Sequence, residues 1–120
     1  MVSASTVNVG VVVPSPLPPG MALPDISRLA REAEMAGLDC IWVEDNVGRD
    51  GAVVLDNMCV LAACAASTQR TEVGSSIFVP STRNLFWALK QVATVQIIAG
   101  GRLQLGVALA GVSGLADLRA

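Results

Sequence analysis

The residues best placed to do chemistry sit together at Glu44, Asp45 and Asn46, with Asp50 four positions further on. Carboxylates in such company are oxygen ligands for a hard cation or general acids and bases. Two adjacent carboxylates on an extended chain, however, point to opposite faces, so a solvated strand end is expected here and no metal. A second candidate is the glycine-rich run from Gly100 to Gly106. Gly101 and Gly106 have the gap of a phosphate loop, but Val107 and Ala108 stand where Lys and Ser or Thr are required. No G-x-G-x-x-G follows the first strand either, so Gly100–Gly101 reads as a helix stop ahead of a buried strand. Cys40, Cys59 and Cys64 are odd in number, lack C-x-x-C spacing and have apolar neighbours, which predicts buried free thiols in a reducing compartment. The chain has no histidine and no tyrosine, which excludes histidine triads, histidine bases and histidine metal sites. A net charge of −2 with 8 scattered Lys and Arg supplies no basic stripe for nucleic acid.

The elements that must position these groups alternate between two periodicities. Val7 to Val13 is a valine-rich run that stops at Pro14, as a buried strand does. The PSPLPPG stretch after it can be neither helix nor central strand, and it makes a long loop of the kind that often carries function. Asp25 is a good N-cap for a helix with Ile26, Leu29, Ala30, Ala33 and Met35 or Ala36 on its apolar face, ending at Gly37. Arg28 and Glu32 lie four apart on the wet face. Asp39 to Val43 is a second strand, Leu55 to Ser67 a second helix, and Thr71 to Val79 a third strand stopped by Pro80. Asn84 caps a third helix to about Ala99, and Arg102 to Ala108 is a fourth strand. The order β-α-β-α-β-α-β in one α/β domain implies a parallel sheet with right-handed crossovers. Two architectures share it: a small doubly wound sheet, and the first half of a (β/α)8 barrel. In both, ligands belong at the carboxyl ends of the strands. The segment Met1 to Thr6 carries no basic residue, and the longest apolar run, Met58 to Ala66, is far short of the roughly 20 residues of a membrane span. A cytoplasmic protein is expected, with no membrane or nucleic-acid partner.

Four segments in register resemble the luciferase-like monooxygenase family: LAREAEMAGLDCIWVED (Leu29 to Asp45), LAACAASTQRTEVGSSIFVPSTRN (Leu61 to Asn84), LKQVATVQIIAGGRL (Leu89 to Leu103) and QLGVALAG (Gln104 to Gly111). The resemblance covers Val7 to Gly111. It implies a (β/α)8 TIM barrel, of which residues 1–120 are a single partial domain, the amino-terminal half. It also implies an oxidoreductase or monooxygenase acting on a small-molecule substrate, with reduced FMN or the deazaflavin coenzyme F-420. The catalytic positions carried over are Asp45, which matches the acid of deazaflavin-type members, and Asn46, which stands where a histidine is usual and does not titrate. The cofactor-binding positions are Ser76 and Ile77, where the family has a non-prolyl cis peptide whose bulge supports the ring, and Ala108. Ser75 and Ser76 are small enough to let a ring approach the backbone.

This chain departs from the family pattern at Gln96, at Ala99 and at Leu85 after Arg83-Asn84. It also departs at Ala108 and Ala110, whose methyl groups narrow the space beside a cofactor. The groups that hold the cofactor's phosphate come from the other half of the family's barrel. A cofactor-free assembly module is the alternative reading. Because helices 55–67 and 84–99 are apolar on nearly every side, and Ala62, Ala63, Ala65 and Ala66 allow close approach, a homodimer through this pair is expected. Subunits of bacterial luciferase, which this segment resembles, associate through the same pair.

Overall fold

In a computed structural model, residues 6–20, 22, 24–48 and 51–109 are described. Four strands, β1 (Gly10–Val13), β2 (Cys40–Val43), β3 (Glu72–Phe78) and β4 (Leu103–Val107), form one parallel sheet in the order β1-β2-β3-β4. Three helices connect them: α1 (Ile26–Met35), α2 (Asn57–Ser67) and α3 (Leu85–Ile98). A doubly wound sheet reverses its strand order at a switch point, and this sheet does not. Right-handed crossovers between successive neighbours put every helix on one face, and α1 packs on α2 and α2 on α3 accordingly. The sequential order therefore favours the barrel half over the doubly wound alternative.

Each helix starts where an acceptor side chain satisfies its free amides. Asp25 accepts from the Arg28 amide, Asp56 from Cys59, and Asn84 from both Phe86 and Trp87. The second helix thus starts after Asp56 rather than at Leu55. At the far end of α3, Gly100 and Gly101 have φ of 61° and 88°, a left-handed turn that ends the helix and leads straight into β4. The glycines stop a helix, as expected, but the strand after them is half-buried to exposed along its length rather than buried. The first strand is shorter than the Val7–Val13 run, because its ladder partner begins only at Cys40. Val9 still exchanges bonds with Asp39, but Val7 is exposed.

The core lies between the sheet and its helices. Ile41, Val43 and Val73 from the strands meet Ala30, Ala33, Leu61, Cys64, Ala65 and Val95 from the helices. Burying a leucine such as Leu61, which has no exposed surface, contributes about 1.5–3 kcal/mol. On α1, Met35 and Ala36 both lie outside this core, since the helix ends there. Helix α2 spends most of its apolar surface inward, with Met58, Val60, Leu61, Cys64 and Ala65 all buried. Helix α3 does not: only Ala88 and Val95 within it are buried.

Two polar anchors tie the amino-terminal ends of the strands together, the end of a barrel where stability is built. The Glu34 carboxylate accepts from the amides of Gln69, Arg70 and Thr71 at 2.7–3.1 Å, and these bonds hold its pKa down at about 2. Arg102 donates to the carbonyls of Ala65, Thr68, Thr71 and Ala99 and to the Thr68 hydroxyl. One guanidinium so joins β4 to the carboxyl ends of α2 and α3.

Candidate functional site

The chemistry-bearing residues gather at the carboxyl ends of the strands. Asp45, just beyond β2, has a side chain only 5% exposed and forms a two-pronged ion pair with Arg83, at 2.9 Å from Nη1 to Oδ2 and 2.8 Å from Nη2 to Oδ1. Oδ2 also accepts the Val79 amide at 2.9 Å. The planar guanidinium matches the carboxylate edge, and it stacks over the buried Phe78 ring with Cζ 4.6 Å from the centroid. Arg83 reaches this position because Pro80–Thr82 makes a single 3-10 turn that brings the chain back over the end of β3. Sequence reasoning did not pair Arg83 with Asp45. The two are 38 residues apart, and no periodicity links them.

Asn46 turns its amide inward across the strand ends, donating to the Ser15 carbonyl at 2.9 Å and to Glu44 at 3.1 Å. The proline-rich loop is held from the other side too. Leu17, nearly fully buried, forms a two-bond antiparallel bridge with Val53 in the loop that follows β2. Asn57, at the start of α2, donates to the Val43 carbonyl at 2.9 Å and is likewise a tie that sequence reasoning missed. Among the described residues the buried atoms Ser15 Oγ, Asn57 Oδ1 and Ser75 Oγ have no hydrogen-bond partner.

The peptide bond Ser76–Ile77 is cis, at the position where the resemblance places the family's bulge. The β3–β4 register pairs Ser75 with Leu105, skips, and resumes with Phe78 opposite Val107, so Ser76 and Ile77 stand out of the ladder and are exposed. A Cβ on Gly106 would come within 2.9 Å of the Ser75 carbonyl oxygen, so a side chain there would push the two strands apart. Beyond the bulge the Ala108 amide donates to the Phe78 carbonyl at 3.1 Å. Asp45, Ser76, Ile77 and Ala108 thus all lie at the carboxyl ends of β2, β3 and β4, with Ser76 and Ile77 exposed and the Asp45 side chain nearly closed to solvent. Ala110 and Asp50 lie outside the described residues.

Among the described residues no three His, Cys, Asp or Glu side chains gather as a metal site. The cysteines divide. Cys40 and Cys64 are buried, and burial pushes both thiols up to about 11. Cys59 is exposed, contrary to the expectation of three buried thiols, because α2 turns that side away from the sheet; its bond with Asp56 raises its pKa. It lines a shallow groove of about 300 Å³ with Met58, Ala62 and Trp87. No described helix is long and apolar enough to cross a membrane.

A parallel sheet in sequential order, with helices on one face, defines the amino-terminal half of a (β/α)8 barrel. The luciferase-like monooxygenase family matches residues 4–113, and the chain belongs to that family. An F420-dependent glucose-6-phosphate dehydrogenase of Amycolatopsis mediterranei is 31% identical over 87 residues, 69% of this chain and 26% of that protein. The chain therefore spans about a quarter of the length of this relative. In fold it is similar to the oxygenating constituent of 3,6-diketocamphane monooxygenase of Pseudomonas putida in complex with FMN. There the TM-score is 0.80 at 13% identity, covering 96% of this chain and 33% of that one. The coenzyme F420-dependent tetrahydromethanopterin reductase of Methanopyrus kandleri gives 0.73 at 24% identity, over 96% of this chain and 30% of the reductase.

Proposed function

We propose that this chain forms the amino-terminal half of a flavin- or deazaflavin-dependent oxidoreductase or monooxygenase, and that it carries the floor beneath the cofactor ring. The observation that carries this reading is the exposed, unladdered step at Ser76–Ile77 on the carboxyl edge of the sheet. A planar ring fits such a step, with Ala108 beside it; Asn46 would meet cofactor or substrate through its side-chain oxygen, since its amide donates within the chain to Ser15 and Glu44. A phosphate fits this floor less well, since Arg83, the cation that follows β3, is already committed to Asp45. When bound, the ring supplies the redox chemistry; the residues described here orient it and cover one side from water. The substrate is a small molecule that meets the ring at the strand ends, and a cytoplasmic location suits either cofactor.

Titration of residues 1–120 with reduced FMN and with F420, followed by cofactor fluorescence, tests this. A floor without phosphate contacts predicts weak but saturable binding, with a Kd closer to about 1 mM than 1 μM. Absence of saturation by either cofactor in a folded chain removes the reading.

A second reading, association with a second copy of the chain, is favoured by one feature of α3. Phe86, Trp87, Leu89 and Ile97 on this one helix are 58–80% exposed, large apolar side chains of the kind that gather at association surfaces. On α2, the partly covered Ala62 lines a groove with Trp87, Ala63 is likewise partly covered and Ala66 exposed, whereas Ala65 is buried in the chain's own core. Sedimentation should find wild type associated and Ala63→Glu or Ala66→Glu dissociated. A monomeric wild type rules this interface out.

A further inference from the structure

We infer that Asp45 is a positioning residue: through Arg83 and the Val79 amide it locks the ends of β2, β3 and β4 into one rigid platform. The inference deepens the reading of this surface as a cofactor floor.

Both carboxylate oxygens are engaged within the chain. Oδ2 takes the Val79 amide and Arg83 Nη1, and Oδ1 takes Nη2, in a side chain almost closed to solvent. Oδ2 accepts two bonds and Oδ1 a third, and the guanidinium, which has donors only in a fixed fork, holds the carboxylate in one orientation. The bonds also form a chain. Arg83 sits on the Phe78 ring, and the carbonyl of that same residue accepts the Ala108 amide where β4 resumes its register. Thr82 closes the turn between them by donating to the Val79 carbonyl from both its amide and its hydroxyl. Asp45 just beyond β2 is thereby connected to Ala108 just beyond β4 across the residues that flank Ser76 and Ile77. Loss of the carboxylate should be felt two strands away, at the same end of the sheet and not at the other.

Amide hydrogen exchange in the chain reads this directly. In Asp45→Asn and in Arg83→Ala, exchange at Val79 and at Ala108 should quicken by about tenfold or more, as expected for local opening. The Val73 amide, which bonds to the Arg102 carbonyl at the amino-terminal end of the same strand pair, should stay within about twofold of wild type. Millimolar guanidinium ion should slow Ala108 again in Arg83→Ala and have no such effect on wild type. The milder Arg83→Lys keeps the charge and serves where the alanine variant does not fold; loss of the fork should still quicken Ala108. Quickening confined to Val79, or equal at Val73, overturns the inference. The measurement needs no cofactor, so a chain that binds neither FMN nor F420 overturns the proposed function and not this coupling.

Discussion

The six-membered ring of Trp42 occupies the space that a side chain on Gly74 would fill: an added Cβ would meet its Cε3 at 2.6 Å. Trp42 lies in register with Val12 on β1 and Gly74 on β3, on the face of the sheet that carries no helix. Its other edge approaches Gly10, where a Cβ would stand 3.0 Å from Nε1. One indole so covers the inner face from β1 to β3, and two glycines make the room. In Gly74→Ala the ring must move or the strands must part. That overpacking should cost about 1–3 kcal/mol, measured by urea unfolding followed by circular dichroism.

Glu34 links stability to acid. Its three amide bonds hold the pKa at about 2, below the ordinary carboxylate value of 4.5. A carboxyl whose pKa is depressed in the folded state stabilises above its unfolded pKa, and the contribution fades as pH falls through the folded one. Stability should therefore decline between about pH 4.5 and pH 2. Glu34→Gln should be less stable than wild type at neutral pH and should lose this part of the acid dependence. Thermal melts across that range measure it.

Arg102 should be among the costliest single losses. Arg102→Met leaves four carbonyls and one hydroxyl without their cation, at an expected cost of about 3 kcal/mol. Arg102→Lys should recover little of this, since one ammonium cannot reproduce the forked set of donors. Chemical denaturation of the two variants gives the comparison.

Thiol chemistry should separate the cysteines. At pH 8 a water-soluble disulfide reagent should modify Cys59 and spare Cys40 and Cys64, which are buried and raised to about 11. The rate at Cys59 should keep rising above pH 9, because Asp56 raises that thiol too. Mass spectrometry after short exposure counts the adducts.

Periodicity and capping determined much of this molecule. Asp25 and Asn84 cap the helices that they were expected to cap, Gly100–Gly101 ends α3, and Pro80 ends β3. These are local rules, satisfied by atoms a few residues apart, and so they are legible in one sequence. The alternation of strand and helix left two architectures open, because neighbouring elements look alike in both. The resemblance chose the barrel half, and the sequential sheet order with all helices on one face agrees with it.

What tertiary structure alone decided is which groups are already used. Asp45 looks like a free acid at a strand end until Arg83 closes on it from 38 residues away. Arg102 and Glu34 look like ordinary surface charges, yet each binds backbone groups brought in by other elements. On the helices, composition alone makes α2 and α3 alike, but contact with the sheet buries the apolar side chains of α2 and leaves those of α3 outside. A side chain's type states which bonds it can make; only the folded path of the chain determines which partners arrive within 3 Å.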